Sequence, residues 1–167
     1  MPKHFLLFLM LCVLATPGQA TEQDAPEIYT LSFETPDGQP YSLAQHRGEV
    51  LLINFWATWC PPCVREMPDL DKLDQAFAQE AFSVIAISAG ETSEDIAAFK
   101  SRLDSPLALT ILLDKEGRTF KEFNLKGLPM SYLFNRQGEL VQVITGTEEW
   151  AGQEWKSKIK ELLTSTP

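Results

Sequence analysis

The stretch that decides the fold is Val50-Leu51-Leu52-Ile53-Asn54-Phe55-Trp56-Ala57-Thr58-Trp59-Cys60-Pro61-Pro62-Cys63. Its first half is almost entirely apolar, which is typical of a central strand buried on both faces. Apolar side chains then recur at helical spacing, so the two cysteines lie where a strand gives way to a helix. A Cys-x-x-Cys pair at such a junction can close into a disulfide and open again, which indicates redox chemistry.

The positions of the two cysteines predict different roles for them. Cys60 lies at the helix start, where unpaired backbone N–H groups and the positive end of the helix dipole stabilise a thiolate. Cys63 lies on the same side of the first turn and can attack a mixed disulfide formed at Cys60. Cys60 is therefore the predicted nucleophile and Cys63 the predicted resolving thiol.

Two other interpretations of the pair are a static structural disulfide and part of a zinc site. Zinc needs about four ligands, and in this sequence only His46 could join the cysteines. A c-type haem site needs His directly after the second cysteine, where the chain has Val64. We therefore expect no bound metal and no cofactor, and the static disulfide stays open as an alternative.

The first twenty residues indicate a secretory signal peptide. A basic start at Lys3 precedes an apolar stretch over residues 5–15, and small residues lead up to Ala20. This pattern predicts cleavage near Ala20 and a periplasmic or otherwise exported protein. The apolar stretch is shorter than the roughly twenty residues that cross a bilayer, although an uncleaved leader would act as a membrane anchor. Cys12 would be discarded with the leader.

Residues 21–167 are expected to form one domain with a substantial core. The whole chain has 23 Asp and Glu against 14 Lys and Arg, a formal charge of −9, and loss of Lys3 makes it −10. Such acidity argues against binding to nucleic acid or to anionic lipid surfaces.

Strand and helix patterns alternate along this domain. We expect strands at 28–33, near Tyr41, and at 50–56, 82–88, 109–113, 130–134 and 140–145, and helices at 62–80, 93–103 and 148–163. The order predicts an α/β fold, a mixed sheet with helices on both faces and an N-terminal β-hairpin extension. Ser93 is the expected cap of the second helix, Pro68 is expected to kink the first, and Trp150 falls off the apolar face of the last helix and is expected to be exposed.

Three motifs resemble the thioredoxin superfamily and, within it, the exported TlpA/ResA-type thiol-disulfide oxidoreductases. They are residues 54–63, Glu66-Met67-Pro68 and Gly127-Leu128-Pro129. The resemblance extends over roughly residues 28–163 and implies a thioredoxin-like fold. It also implies that Pro129 is a cis-proline next to the active-site disulfide, where the alternative is an ordinary trans proline opening a strand.

Glu66 is predicted to handle protons for the thiols. It follows Cys63 by three residues, so it projects from the same helical face, and burial there would raise its pKa. In the resembling family an acid at this position takes part in proton handling, whereas ordinary thioredoxins carry a buried Asp where this chain has Asn54. The alternative is a solvated acid that stabilises the helix start.

The resemblance implies a protein-disulfide reductase that exchanges through the Cys60/Cys63 dithiol, for example in cytochrome c maturation or metallochaperone reduction. A membrane electron donor would re-reduce the pair, and no nucleic acid or stable metal partner is expected. The residues expected to bind the protein substrate surround the pair and are Trp59, Pro61, Pro62, Leu128 and Pro129. Of these, Trp59 is expected to be partly exposed.

Three other activities use a similar fold or site. A dithiol oxidase runs the same exchange in reverse. The thiol peroxidase pattern has Thr at the position of Ala57, and a copper carrier of this fold would need a wider cysteine spacing and a distal His. Both of the latter fit this sequence less well than the reductase does.

Overall fold

The computed structural model of the protein describes residues 26–165. The predicted leader, its cleavage near Ala20 and Cys12 lie outside these residues. The strands are β1 (Ser32–Glu34), β2 (Pro40–Ser42), β3 (Val50–Trp56), β4 (Phe82–Ala89), β5 (Thr110–Asp114), β6 (Met130–Phe134) and β7 (Leu140–Thr145). The α-helices are α1 (Pro61–Ala76), α2 (Ser93–Lys100), α3 (Thr119–Glu122) and α4 (Gln153–Thr164).

The strands form one mixed sheet in the order β2-β1-β5-β4-β3-β6-β7. β3, β4 and β5 run parallel to one another. After each strand, a segment that contains a helix returns the chain to the end of the sheet where the next strand begins. β6 runs antiparallel to β3 and pairs with β7 in a hairpin. β1 and β2 form the N-terminal hairpin, and β1 joins the sheet beside β5. The predicted mixed sheet and its hairpin extension are confirmed.

The two faces of the sheet carry separate apolar cores. Crossovers between parallel strands are nearly always right-handed, so the steps from β3 to β4 and from β4 to β5 place α1 and α2 on one face. Met67, Phe99 and Ile159 accordingly belong to one buried cluster, to which α4 also contributes. Ile28 and Phe123 belong to the cluster on the other face, which the N-terminal segment and the end of α3 cover.

The first strand and the first helix differ from their predicted bounds. Residues Ile28–Thr30 form a 3-10 turn rather than a strand, and β1 begins only at Ser32. α1 begins one residue early, at Pro61, because proline fits the first helical turn, where its missing N–H has no partner to lose. It continues through Pro68 and ends at Ala76, short of the predicted end.

The later helices also start elsewhere than predicted. The cap of α2 is Thr92 and not Ser93, because Thr92 and Asp95 exchange side-chain to backbone hydrogen bonds in a capping box. α4 begins at Gln153, five residues after the predicted start. The sequence pattern missed α3 altogether, since four residues are too few to show a helical period.

No helix within residues 26–165 is both long enough and apolar enough to cross a membrane.

Candidate active site

The two cysteines are joined at the start of α1. Cys60 is the N-cap residue and Pro61 and Pro62 are the first two helical residues. The sulfurs of Cys60 and Cys63 form a disulfide, with Cα atoms 5.3 Å apart. Both side chains are buried, Cys60 at 4% exposure and Cys63 at 0%. Because the two prolines have no N–H, the backbone N–H of Cys63 is the first donor that α1 offers near the Cys60 sulfur.

Glu66 is buried one helical turn below the disulfide. Its side chain is 4% exposed, and it accepts hydrogen bonds from Asn54 Nδ2 at Oε1 and from Trp150 Nε1 at Oε2, both at 2.9 Å. Burial raises the pKa of Glu66 above its usual range, and the Trp150 and Asn54 donors offset part of that rise. The expected burial is confirmed, and the alternative of a solvated acid is wrong.

Asn54 ties Glu66 to the centre of the sheet. It lies in β3 directly opposite Ser131 in β6, and its Nδ2 donates to Ser131 Oγ at 2.9 Å as well as to Glu66. Both of its N–H bonds are therefore used. Within the described part of the chain, its Oδ1 is buried without a partner.

Trp150 is buried, and the prediction that it would be exposed is wrong. Its exposure is 0%, and its ring lies 4.5 Å from that of Trp155, centroid to centroid. The prediction failed because it extended the helical phase back from α4 through residues that are not helical, since α4 begins only at Gln153. The non-helical approach turns the Trp150 indole toward Glu66.

Glu91 is a second buried acid beside the site, and sequence reasoning missed it. It is 5% exposed and follows β4, at the sheet edge where β3 also ends. Its carboxylate accepts from the backbone N–H and hydroxyl of Thr58 and from the hydroxyl of Ser88. The sequence signal that could have identified Glu91 was its position just after a predicted parallel strand, because functional groups gather at the carboxyl ends of such strands. Glu91 fixes the loop that leads into Cys60.

The segment before β6 reaches the same end of the sheet. The Leu128–Pro129 peptide bond is cis, as the resemblance implied. Met130 pairs with Phe55 near the end of β3, so Pro129 is level with the residues that lead into Cys60. Leu128 is half-buried and packs against both cores.

The residues around the disulfide expose an apolar surface. Trp59 is 67% exposed, Pro61 is exposed, and Pro62 is half-buried. The expected exposure of Trp59 is confirmed. Arg65 is also exposed.

His46 lies away from the site, at the other end of β3. It is buried, with Nδ1 2.7 Å from Glu49 Oε2 and Nε2 2.8 Å from the Tyr41 hydroxyl. These bonds tie the N-terminal hairpin to the sheet. His46 is thus a structural residue, and the structure does not bring it near the cysteines.

The chain is similar in sequence to proteins of two bacteria. It is 33% identical over 110 residues to thiol-disulfide oxidoreductase ResA of Geobacillus kaustophilus, a match that covers 66% of this chain and 62% of that protein. It is 34% identical over 128 residues to thioredoxin-like protein YneN of Bacillus subtilis, covering 75% of this chain and 71% of YneN. The chain thus spans somewhat less than two thirds of the ResA relative.

A solved structure and a family model agree with these relatives. A thiol:disulfide interchange protein of the thioredoxin family from Chlorobium tepidum superposes with a TM-score of 0.70 at 26% identity, covering 87% of this chain and 99% of that one. The model of the AhpC/TSA family matches residues 21–143. Since that match includes most of the sheet and both cysteines, the protein belongs to the AhpC/TSA family and has a thioredoxin-like fold.

Proposed function

We propose that this protein is an exported thiol-disulfide oxidoreductase that reduces disulfides of other proteins through Cys60 and Cys63. The observation that carries the proposal is the bonded cysteine pair at the start of α1, with the buried carboxyl of Glu66 one turn below it. A static disulfide has no need of a buried acid beside it. The relatives named thiol-disulfide oxidoreductase support the same activity.

The exchange proceeds in two steps. The Cys60 thiolate attacks one sulfur of the target disulfide, so that a mixed disulfide forms and the other target sulfur leaves and takes up a proton. Cys63 then loses its proton and attacks the Cys60 sulfur, which restores the Cys60–Cys63 bond and releases the second target thiol. The target gains two electrons from the enzyme pair and two protons, of which one balances the proton that Cys63 gives up and the other comes from solvent, because Cys60 enters the reaction already as a thiolate.

Glu66 is the proposed proton carrier for the second step. Cys63 is fully buried, so its proton cannot pass directly to bulk water. Because burial raises the pKa of Glu66, this carboxyl exchanges protons closer to neutral pH than an ordinary glutamate does. Glu66 is on the same helical face as Cys63, which is where such a carrier is needed.

The exposed apolar surface supports a protein substrate. Trp59 and Pro61 present it next to the disulfide, and half-buried Leu128 and buried Pro129 lie at the same end of the sheet. An extended segment of a target protein can lie along the backbone next to Leu128 while its disulfide meets Cys60. Pro62, half-buried in the first turn of α1, completes the surface.

Two features support a reductase in an exported compartment. The prolines at positions 61 and 62 remove two donors that would otherwise stabilise the Cys60 thiolate, which favours the disulfide form and a reducing potential. The leader pattern of residues 1–20 supports export. A reductase in an oxidising compartment needs an outside electron supply, so we propose re-reduction by a membrane electron donor.

Reduction of insulin by the purified protein, with dithiothreitol as the electron source, tests the activity. We expect catalysed precipitation of the insulin B chain by the wild type and none by Cys60→Ser. Peroxide consumption measured on the same sample separates a thiol peroxidase from a disulfide reductase. Rapid peroxide turnover without insulin reduction would refute the proposal.

A further inference from the structure

The Trp150 indole is a buried donor that points at one acceptor. Its side chain is fully buried, and its N–H donates to Glu66 Oε2 at 2.9 Å. The same core buries the indole N–H of Trp56 without a partner in the described residues. Burial of an indole here therefore does not by itself require a hydrogen bond, and the contact between Trp150 and Glu66 is a specific one.

Glu66 has two side-chain donors from different parts of the chain. Asn54 serves Oε1 from β3, and it is fixed there because its other N–H donates to Ser131 in β6. Trp150 serves Oε2 from the segment before α4. Loss of the Trp150 N–H would leave Oε2 without its donor, while Asn54 is already fully used.

The charges around Glu66 do not replace that donor. Glu148, in the same segment as Trp150, has two opposite effects on Glu66: its backbone N–H lowers the Glu66 pKa, by less than the Trp150 and Asn54 donors do, and its carboxylate raises that pKa. β3 and β6 contribute the neutral side chains of Asn54 and Ser131. On α1 itself the titratable neighbour is Cys63, which carries a thiol only in the reduced protein. The Trp150 N–H is thus a main contact that favours the ionised form.

We propose that Trp150 is a positioning residue for proton transfer, because its indole N–H fixes the Glu66 carboxyl and keeps it able to accept the Cys63 proton. The proposal rests on the proposed function, since the proton moves only when the cysteine pair cycles. In that step the Cys63 S–H bond breaks, its proton passes to Glu66, and the resulting thiolate bonds to the Cys60 sulfur as the target thiolate leaves. The segment that precedes the last helix would in this way influence chemistry at the start of α1.

A pH titration of the Glu66 carboxyl carbon by NMR tests the first part of the proposal. Trp150→Phe keeps the aromatic packing and removes the N–H. We expect it to raise the Glu66 pKa by about one to two units, the effect of losing one hydrogen bond to a charged group. Trp56→Phe is the matched control, because it removes a buried indole N–H from the same core that has no hydrogen-bond partner in the described residues, so the Glu66 titration should stay as in the wild type. Equal Glu66 titration in wild type and Trp150→Phe would overturn the proposal.

Two further measurements keep the test decisive. If Trp150→Phe does not fold, the indole N–H resonance of Trp150 in the wild type must follow the Glu66 titration and lose that pH dependence in Glu66→Gln, and a resonance that ignores pH overturns the proposal. If Trp150→Phe folds, its pH profile of insulin reduction must shift to higher pH together with the Glu66 pKa. An unchanged profile overturns the positioning role.

The carboxyl titration uses the oxidised protein and needs no turnover. Failure of the proposed function would appear separately, as absent insulin reduction by the wild type.

Discussion

Thr58 donates its backbone N–H to both carboxylate oxygens of Glu91, at 3.1 and 2.9 Å, and its hydroxyl to Oε1 at 2.5 Å. The two residues follow neighbouring parallel strands, so the contact joins the ends of β3 and β4. Thr58 precedes Cys60 by two residues. Glu91 therefore holds the position of the loop from which the first cysteine enters α1.

Glu91→Ala should destabilise the protein by about 2–4 kcal/mol, because it leaves the donors of half-buried Thr58 and of buried Ser88 without their acceptor. The loop that carries Trp59 should loosen as well. Urea unfolding gives the free-energy change, and Trp59 fluorescence quenching by acrylamide reports the loop. Glu116→Ala, which removes an exposed acid, is the control and should leave both readouts unchanged. A Glu91→Ala protein as stable as the control would show that the carboxylate does not fix the loop.

The two cysteines should behave differently when replaced singly. Cys63→Ser should retain the nucleophile and trap partners as mixed disulfides, whereas Cys60→Ser should trap none, because Cys63 is fully buried behind it. Non-reducing gels of each variant after expression check this. Adducts that form only in Cys60→Ser would reverse the assignment of nucleophile and resolving thiol.

Glu66 should make the protein less stable as the pH rises. Burial raises its folded pKa, so its contribution to stability is fully present below the ordinary value of about 4.3 and is lost as the pH rises through the folded pKa. Glu66→Gln removes this dependence. We expect the variant to match the wild type near pH 4 and to exceed it near pH 8, with urea unfolding as the measurement. Identical curves at both values would mean that Glu66 ionises as it does in the unfolded chain.

Glu66→Gln should also change the pH dependence of Cys60 alkylation in the reduced protein, since it removes a titrating neighbour of similar shape. Rates of iodoacetamide labelling from acid to alkaline pH measure it. Overlapping profiles of variant and wild type would leave Glu66 without a role in proton handling.

The parts of the structure that follow from local patterns were predictable. β3, β6 and β7 have the predicted bounds to the residue, because runs of apolar or alternating side chains between turn signals specify strands directly. The cysteine pair, the cis-proline and the burial of Glu66 were anticipated from motifs. Contacts between residues far apart in the sequence were not predictable. Trp150 is 84 residues from Glu66, and Glu91 is 33 residues from Thr58, so no window of sequence contains both members of either pair.

Asn54→Asp should place a second carboxyl against Glu66 Oε1 and couple the two titrations. Two buried carboxyls within hydrogen-bond distance share one proton, so the pair resists full ionisation. We expect stability close to that of the wild type near pH 5 and a loss of about 2–4 kcal/mol near pH 8. The double variant Asn54→Asp, Glu66→Gln should lose most of the added pH dependence, and urea unfolding measures both. A single variant with no added pH dependence would place the two side chains farther apart than the 2.9 Å contact implies.

The prolines of the Cys-Pro-Pro-Cys motif should set the direction of electron flow. Pro61 and Pro62 occupy the first two positions of α1 and offer no N–H to a thiolate at Cys60, which makes the reduced form less stable. We therefore expect a reduction potential below about −200 mV, nearer to that of thioredoxin than to that of DsbA. Pro62→Ala restores one donor and should raise the potential by about 30 mV, the equivalent of one hydrogen bond to a charged group. Pro68→Ala, outside the first turn, is the control and should not change it. Equilibration with glutathione buffers measures all three proteins, and a wild-type midpoint near about −120 mV would replace the reductase with an oxidase.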